Sequence, residues 1–252
     1  MEPVYTPVIW IARALFAAQG LKFTITGAQN IPTSGGAVLM SNHLSYFDFA
    51  YAGLAALPRK RLVRFMAKDD VFAHKVSGPL MRGMHHIPVD RNAGAASFRE
   101  AVNALKAGEI VGVFPEATIS RSFELKSFKS GAVRMAQAAS VPVLPMIIWG
   151  SQRVWTKGHP KRLGRTNVPI TLSVGKPIMA RPEDNADDIN LALRAAMTDL
   201  LHAAQDGYPA VPPDELKYLP ARLGGSAPTL EQASVMDEQD AVRRGARPGS
   251  AD

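Results

Sequence analysis

Residues 42–48 read Asn-His-Leu-Ser-Tyr-Phe-Asp and place an imidazole, His43, shortly before a carboxylate, Asp48. A free imidazole accepts protons near neutral pH, with an unperturbed pKa of about 6.5. A neighbouring carboxylate can fix the tautomer of the ring and stabilise the imidazolium that forms. Such a pair could activate a hydroxyl group. The same spacing also arises by chance on surfaces and in helix caps, so other features must support this interpretation.

Three further segments combine polar residues with the start or the end of an apolar strand. In α/β enzymes, such strand ends carry many of the working residues. The segments are Gly83-Met84-His85-His86-Ile87-Pro88-Val89-Asp90-Arg91, Phe114-Pro115-Glu116-Ala117-Thr118-Ile119-Ser120 and Val141-Pro142-Val143-Leu144-Pro145. The adjacent histidines 85 and 86 would point to opposite faces of a strand, and no neighbouring pattern completes a set of metal ligands, so no metal site is predicted.

Strand-like and helix-like patterns alternate from residue 20 onward. The alternation predicts an α/β fold with a mixed, mostly parallel sheet flanked by helices. The predicted strands are 21–26, 36–41, 62–67, 86–89, 110–114, 143–149 and 170–174. The predicted helices are 47–57, 69–82 with a break near Gly78-Pro79, 97–107, 128–139 and 182–205.

Both ends of the chain differ from this α/β region, which we place at 21–211. Residues 4–19 are mostly apolar but too few to cross a bilayer, and on a helix Val8, Ile11, Leu15 and Ala18 share one face, broadened by Trp10 and Phe16. The pattern predicts an N-terminal membrane-interface helix within residues 1–20. An ordinary helix covering the core is the alternative. Residues 212–252 lose apolar periodicity and predict a largely flexible C-terminal extension.

The composition narrows the classes of function. There is no cysteine among the 252 residues, which excludes disulfides, thiolate catalysis and cysteine-ligated zinc. No secretory signal is evident at the N-terminus. The net charge of +7 favours an anionic partner, and a phospholipid surface or a phosphorylated substrate is preferred over nucleic acid because no nucleic-acid-binding signature accompanies the charge.

Basic side chains are concentrated in two stretches of the sequence. Each of these two groups could bind an anion or could simply lie on a solvated surface. The first group is Arg59, Lys60, Arg61, Arg64 and Lys68, and the second is Arg153, Lys157, Lys161, Arg162 and Arg165.

The four ordered segments closely resemble the motifs of the glycerolipid acyltransferases, in particular the 1-acylglycerol-3-phosphate acyltransferases. Residues 42–48 match the pattern Asn-His-x-Ser-x-x-Asp in full, and the second segment ends in the expected Val-Asp-Arg. The third matches Phe-Pro-Glu-Gly-Thr-Arg-Ser in part, and the fourth matches Val-Pro-x-x-Pro. Residues 128–131 also resemble the Phe-Lys-x-Gly stretch that follows the third motif.

The resemblance assigns roles to individual residues. It implies that His43 is the general base on the acceptor hydroxyl and that Asp48 orients it. Direct transfer from a thioester is implied, with acyl-CoA or acyl carrier protein as co-substrate and no cofactor. The residues implied to bind the acceptor are Arg91, Glu116, Thr118, Lys129, Asn42 and Ser45. Arg91 could instead be a surface arginine paired with Asp90, Glu116 a helix-start carboxylate, and Lys129 a solvated lysine.

Two positions depart from the family pattern. Ala117 replaces the usual glycine, which predicts that a positive φ is not required there. Ile119 replaces the usual arginine, so that a phosphate contact is lost unless Arg121 supplies it. Another lysophospholipid, a glycolipid or glycerol 3-phosphate therefore remains open as the acceptor.

The resemblance implies an enzyme of phospholipid biosynthesis that gives phosphatidic acid, associated with the cytoplasmic face of the cell membrane. A metal-dependent hydrolase that uses His43 and Asp48 is a remoter alternative. A non-catalytic membrane-binding module is another, and neither requires the last three motifs.

Overall fold

One mixed sheet organises the chain in the computed structural model, which describes residues 2–90 and 94–245. Eight strands of the described residues belong to this sheet. They are β1 (Lys22–Thr26), β2 (Ala37–Ser41), β3 (Val63–Lys68), β4 (Ile87–Val89), β5 (Ile110–Val113), β6 (Pro142–Trp149), β7 (Pro169–Val174) and β8 (Ile178–Met179).

The sheet is mostly parallel, as the sequence predicts. Its order is β1-β7-β6-β2-β5-β3-β4, with β8 also paired to β6. Strands β6, β2, β5, β3 and β4 run in one direction, because each neighbouring pair among them is parallel. Strand β7 pairs antiparallel with β6 and parallel with β1, which makes the sheet mixed.

Helices cover both faces of the sheet. They are α1 (Tyr5–Ala18), α2 (Asp48–Ala56), α3 (Asp69–Ala73), α4 (Ser77–Gly83), α5 (Gly94–Lys106), α6 (Gly131–Ala139), α7 (Ala186–Asp206) and α8 (Leu230–Gly245). One buried cluster packs α5, α6 and α7 on one face, and a second packs α1 and α2 on the other.

Strand β2 lies between these two layers. Val38 and Met40 belong to the cluster on one face, whereas Ala37 and Leu39 belong to the cluster on the other. A strand covered on both faces requires apolar residues at consecutive positions, which explains the unbroken run Ala-Val-Leu-Met. The strand that leads into residues 42–48 is therefore fixed in the centre of the molecule.

The predicted helix over 69–82 is wrong in where it breaks. The chain divides between α3 and α4, where His74 adopts an extended conformation with ψ of 137°. Gly78 and Pro79 lie within the first turn of α4. Proline is tolerated in a first turn, because the backbone N–H groups there have no partner within the helix.

Helix α1 packs one side on the core and leaves another exposed. Phe16 and Tyr5 are buried, so the prediction that Phe16 widens the exposed apolar face is wrong. Trp10, Ile11 and Leu15 are 67%, 61% and 59% exposed. The buried side fits a helix that covers the core, and the membrane-interface prediction concerns the exposed side alone.

The C-terminal extension is more ordered than the sequence predicts. Residues 213–218 and 221–223 form short 3-10 helices, and α8 follows. Tyr218 and Ala227 are buried in the same cluster as α5, α6 and α7. The ion pairs that attach this segment join positions distant in sequence, such as Arg153 and Glu215, and local periodicity does not report them.

Candidate active site

The shared direction of the central strands brings the polar segments to one edge of the sheet. Strands β2 and β5 are parallel neighbours, so that His43 and Glu116, which follow their carboxyl ends, meet there. The end of β6 lies beside them, because β6 is parallel to β2.

His43 and Asp48 form a hydrogen-bonded pair. Nδ1 of His43 lies 3.1 Å from Oδ2 of Asp48, and the same oxygen accepts hydrogen bonds from the backbone N–H groups of Leu44 and Ser45. Asp48 is fully buried, whereas the side chain of His43 is 21% exposed. A proton on Nδ1 directed at the carboxylate leaves Nε2 with its lone pair available for a proton.

An apolar ring packs against the imidazole. The ring of His43 stacks on Phe114 with centroids 4.2 Å apart, and Phe114 stacks in turn on Phe65 at 6.0 Å. Gly112 on β5 makes room for this arrangement, because a Cβ atom there would lie 2.5 Å from the ring of Phe65. Asp48 and Phe114 therefore fix the imidazole from two sides.

Glu116 ties the loop after β5 to the His43 segment. Its Oε1 accepts a hydrogen bond from the backbone N–H of His43, and its Oε2 accepts one from that of Lys126, both at 3.3 Å. Burial raises the pKa of Glu116 to about 8, although both hydrogen bonds and Lys126 oppose this change. The structure thus gives Glu116 a framework contact with the candidate base.

The buried carboxyl of Glu116 should make stability depend on pH. Its pKa rises from 4.5 to about 8 on folding, so its contribution is complete below pH 4.5 and is lost as the pH rises through 8. We expect Glu116→Gln to remove the pH dependence of stability that this carboxyl contributes. The variant should also lose a constant amount, about 1–3 kcal/mol, of the free energy of unfolding, because an amide nitrogen cannot accept the second hydrogen bond. Urea unfolding of both proteins across that pH window measures the difference.

The comparison of the two proteins isolates Glu116 from other titrating groups. Burial lowers the pKa of His86 to about 4, which gives the opposite trend in both proteins and cancels. A decline of equal slope in Glu116→Gln and in the parent protein would contradict the prediction.

Asn42 and Ser45 make framework contacts within the protein, and their role in substrate binding stays a prediction. The amide of Asn42 pairs with both backbone groups of Ile148 on β6, at 2.7 and 2.9 Å. The hydroxyl of Ser45 donates to the carbonyl of Trp155 at 2.7 Å. The two side chains are 1% and 0% exposed. They hold the His43 segment against β6 and the loop that follows it.

Ala117 adopts a left-handed conformation, with φ of 60°. The prediction that this position does not require a positive φ is therefore wrong. The Cβ atom of alanine carries a steric cost in this conformation that glycine, the usual residue of the family pattern, would not carry.

Replacement of Ala117 by glycine should stabilise the protein. We expect the free energy of unfolding to rise by about 1 kcal/mol, because glycine adopts a positive φ without strain. The matched control is Ala96→Gly, at an exposed position of α5, where glycine should cost about 1 kcal/mol. Urea midpoints that fall for both variants would contradict the assignment of strain to residue 117.

The other residues predicted to bind the acceptor differ in their exposure to solvent. Thr118 is half-buried and Lys129 is exposed, while the backbone N–H of Lys129 donates to the carbonyl of Pro115. Ile119 is buried. Arg91 lies outside the described residues.

Sequence reasoning missed two residues that shape this site. Phe114 lies within a recognised motif but received no role, and the motif pattern itself gives no signal of its stacking on His43. Trp155 accepts hydrogen bonds from the backbone of Tyr46 as well as from Ser45, and its ring lies 4.7 Å from that of Tyr46. Its separation of more than 100 residues from this segment leaves no local signal.

Many of the basic side chains are engaged within the protein. Arg61 donates to backbone carbonyls, and Arg64 is buried against Glu2 and Glu109. Arg153 and Arg162 both pair with Glu215, whose pKa falls to about 2 because their hydrogen bonds outweigh its burial. These arginines are engaged in contacts within the protein. The predicted anion-binding role is therefore left to other members of the two basic groups.

Two features are absent from the described segments, 2–90 and 94–245. No helix there combines the length and the apolar character needed to cross a membrane. No group of three or more metal-ligating side chains gathers there.

Comparisons with known proteins identify similar sequences. The family model described as Acyltransferase matches residues 22–149, just over half of the chain. A Bacillus subtilis protein named 1-acyl-sn-glycerol-3-phosphate acyltransferase is 32% identical over 69% of this chain and 81% of its own length. A Limnanthes douglasii protein of the same name is 33% identical over 72% of this chain, which spans 58% of that relative.

A solved structure has a similar fold. The 1-acyl-sn-glycerophosphate (LPA) acyltransferase PlsC from Thermotoga maritima superposes with a TM-score of 0.67, covers 81% of each chain and is 21% identical in sequence. At this identity the likeness concerns the fold, and it agrees with a mixed sheet between layers of helices.

Proposed function

Because this chain belongs to the acyltransferase family, we propose that it transfers a fatty acyl group to the free hydroxyl of 1-acylglycerol-3-phosphate, giving phosphatidic acid. The family match spans residues 22–149 and includes all four motifs. Relatives from a bacterium and a plant carry names for this reaction. The proposal places the protein in phospholipid biosynthesis.

The pair of His43 and Asp48 is the observation that carries the proposal. A partly exposed imidazole held by a buried carboxylate can remove the proton from the acceptor hydroxyl as its oxygen attacks the thioester carbonyl. The tetrahedral intermediate then collapses, the carbon–sulfur bond breaks, and His43 returns the proton to the departing thiolate. Asp48 stabilises the imidazolium between the two proton transfers.

The acceptor head group and the acyl chain are proposed to bind to different kinds of side chain. Arg91, Lys129 and Thr118 are the residues proposed to hold the phosphate and glycerol of the acceptor, and an arginine suits bidentate contact with phosphate. The acyl chain would lie along the apolar rings that begin at His43, where Phe114 stacks on the imidazole and on Phe65, and Phe49, 40% exposed, contacts Phe65. The donor is an acyl thioester of coenzyme A or of acyl carrier protein.

The substrates require access to a membrane surface. Each buried methylene contributes about 0.8 kcal/mol, so a long acyl chain remains in the bilayer. The exposed apolar side of α1 is suited to lie in the membrane interface, with Trp10 as an aromatic anchor. We place the protein as a peripheral or monotopic enzyme on the cytoplasmic face of the cell membrane.

The exposed side of α1 can be tested by substitution. We expect Leu15→Gln to weaken binding to phospholipid vesicles by about tenfold or more, since burying one leucine contributes about 1.5–3 kcal/mol. Leu191→Gln is the control, because Leu191 is 69% exposed on α7. Sedimentation with vesicles measures the partition, and equal losses for both variants would contradict a specific role of α1.

The proposed reaction is tested with purified protein, acyl-CoA and 1-acylglycerol-3-phosphate. Release of free thiol that requires the acceptor, together with phosphatidic acid identified by mass spectrometry, is the expected result. Thiol release without any acceptor would indicate hydrolysis and would overturn the proposal. Acyl carrier protein thioesters tested in parallel identify the donor.

A second acceptor deserves a direct comparison because Ile119 stands in place of the family's arginine and is buried. Other lysophospholipids, glycolipids and glycerol 3-phosphate form the panel. A larger kcat/KM for one of these than for 1-acylglycerol-3-phosphate would change the substrate and leave the reaction type intact.

A further inference from the structure

Helix α8 is attached to the main domain by a compact network of ion pairs. Asp237 contacts the ammonium groups of Lys126 and Lys157 at 2.6 and 2.8 Å and Nε of Arg121 at 3.4 Å. Asp240 contacts Arg121 at 2.6 Å and Lys157 at 3.0 Å. Three cations thus converge on two carboxylates, and all three side chains are at most 20% exposed.

The three cations extend from segments that contact the His43 loop. Arg121 follows Ser120, whose backbone N–H donates to the carbonyl of His43 at 2.8 Å. The backbone N–H of Lys126 shares the carboxylate of Glu116 with that of His43. Lys157 lies two residues after Trp155, which accepts the hydroxyl of Ser45. The cluster is therefore built into the surroundings of the candidate active site.

Few apolar contacts hold α8 in place. Ala233 is its buried apolar residue, whereas Val235, Met236 and Val242 are 52%, 38% and 71% exposed. Hydrogen bonds from Lys157 and Arg121 lower the pKa of Asp240 to about 2. Hydrogen bonds from Lys126 and Lys157 outweigh burial and lower the pKa of Asp237 as well. Charge pairing therefore dominates the attachment of this helix, which lies outside the family match.

We propose that Arg121, Lys126 and Lys157 form a binding site for a phosphomonoester and that Asp237 and Asp240 of α8 occupy it as a latch. A phosphomonoester carries about two negative charges and three acceptor oxygens, which matches three convergent cationic donors. This inference rests on the proposed function, whose acceptor and product both carry that group. Binding of the phosphate in place of the carboxylates would release α8 from the main domain.

Hydrogen exchange of the full-length protein tests the latch without any measurement of activity. Asp237→Asn should speed exchange of the amides in α8 by about tenfold, since it removes pairings that together contribute on the order of 1.4 kcal/mol. The matched control, Glu238→Gln, removes one negative charge from an exposed position of the same helix and should leave exchange unchanged. Equal exchange in the two variants would overturn the latch.

The ligand is tested by exchange in the presence of inorganic phosphate, of phosphatidylcholine vesicles, and of the same vesicles containing phosphatidic acid. Chloride at matched ionic strength separates binding from screening. Faster exchange with inorganic phosphate supports a site open to soluble phosphomonoesters, and an effect confined to phosphatidic acid supports a lipid source. Lys157→Gln should abolish either response. No response to phosphate or phosphatidic acid beyond the chloride control would overturn the site, whereas failure of the acyltransferase assay alone would concern only the proposed function.

Discussion

Replacement of His43 by alanine is expected to lower kcat by about 10²–10⁴-fold, the usual contribution of a positioned general base. The proposed reaction assigns one general base to the acceptor hydroxyl, so the alanine variant has no assigned group to accept the proton. The loss should fall mainly on kcat, because the imidazole acts on the hydroxyl as it attacks rather than on the bound phosphate. The rate of thiol release at saturating acceptor measures this effect.

The fold should tolerate this substitution. His43 contributes its backbone to the contacts with Glu116 and Ser120, and these contacts remain in an alanine variant. His202→Ala, at an exposed position of α7, controls for the loss of a histidine and should retain full activity. Thiol release at the parental rate from a folded His43→Ala protein would exclude the assigned base.

The arrangement of the sheet around this site was predictable in part. Apolar runs such as 36–41 and 143–149 identify buried strands, because strands covered on both faces carry consecutive apolar residues. Strand direction was not available from any single run, since it depends on which strands pair. The antiparallel contact of β6 with β7 is a tertiary property of this kind.

The site was predictable to the extent that its residues follow one another in the sequence. His43 and Asp48 belong to one motif and one turn, and the structure brings them into contact. Asn42 and Ser45 belong to the same motif, yet their partners are Ile148 and Trp155, which only the folded chain brings close. A motif therefore identifies a set of residues without separating those that contact substrate from those that hold the loop.

The positive φ of Ala117 shows a related limit. An alanine where the family pattern has glycine suggested that a positive φ is not required. In the turn after β5, however, Ala117 has a left-handed conformation. The surrounding hydrogen bonds, including that from Ala117 to the carbonyl of Phe114, fix the turn. Tertiary contacts thus override the preference of one residue.

Replacement of Asp48 by asparagine is expected to lower kcat by about 10²–10⁴-fold, close to the effect at His43. An asparagine oxygen can still accept the hydrogen bonds that Oδ2 accepts from Leu44 and Ser45, but the charge that stabilises the imidazolium is lost. The amide nitrogen would occupy the buried position of Oδ1, which has no hydrogen-bond partner within the described chain. We therefore also expect a loss of about 1–3 kcal/mol in the free energy of unfolding.

A double-mutant cycle separates the two consequences of this substitution. If Asp48 acts on the reaction through His43, Asp48→Asn should lower kcat strongly in the parent protein and very little in the His43→Ala background. Its cost in stability should persist in both backgrounds, since the buried position of Oδ1, where the amide nitrogen would lie, does not depend on the imidazole. Additive losses of kcat would mean that Asp48 supports only the structure of the loop. They would exclude the proposed action of its charge on His43.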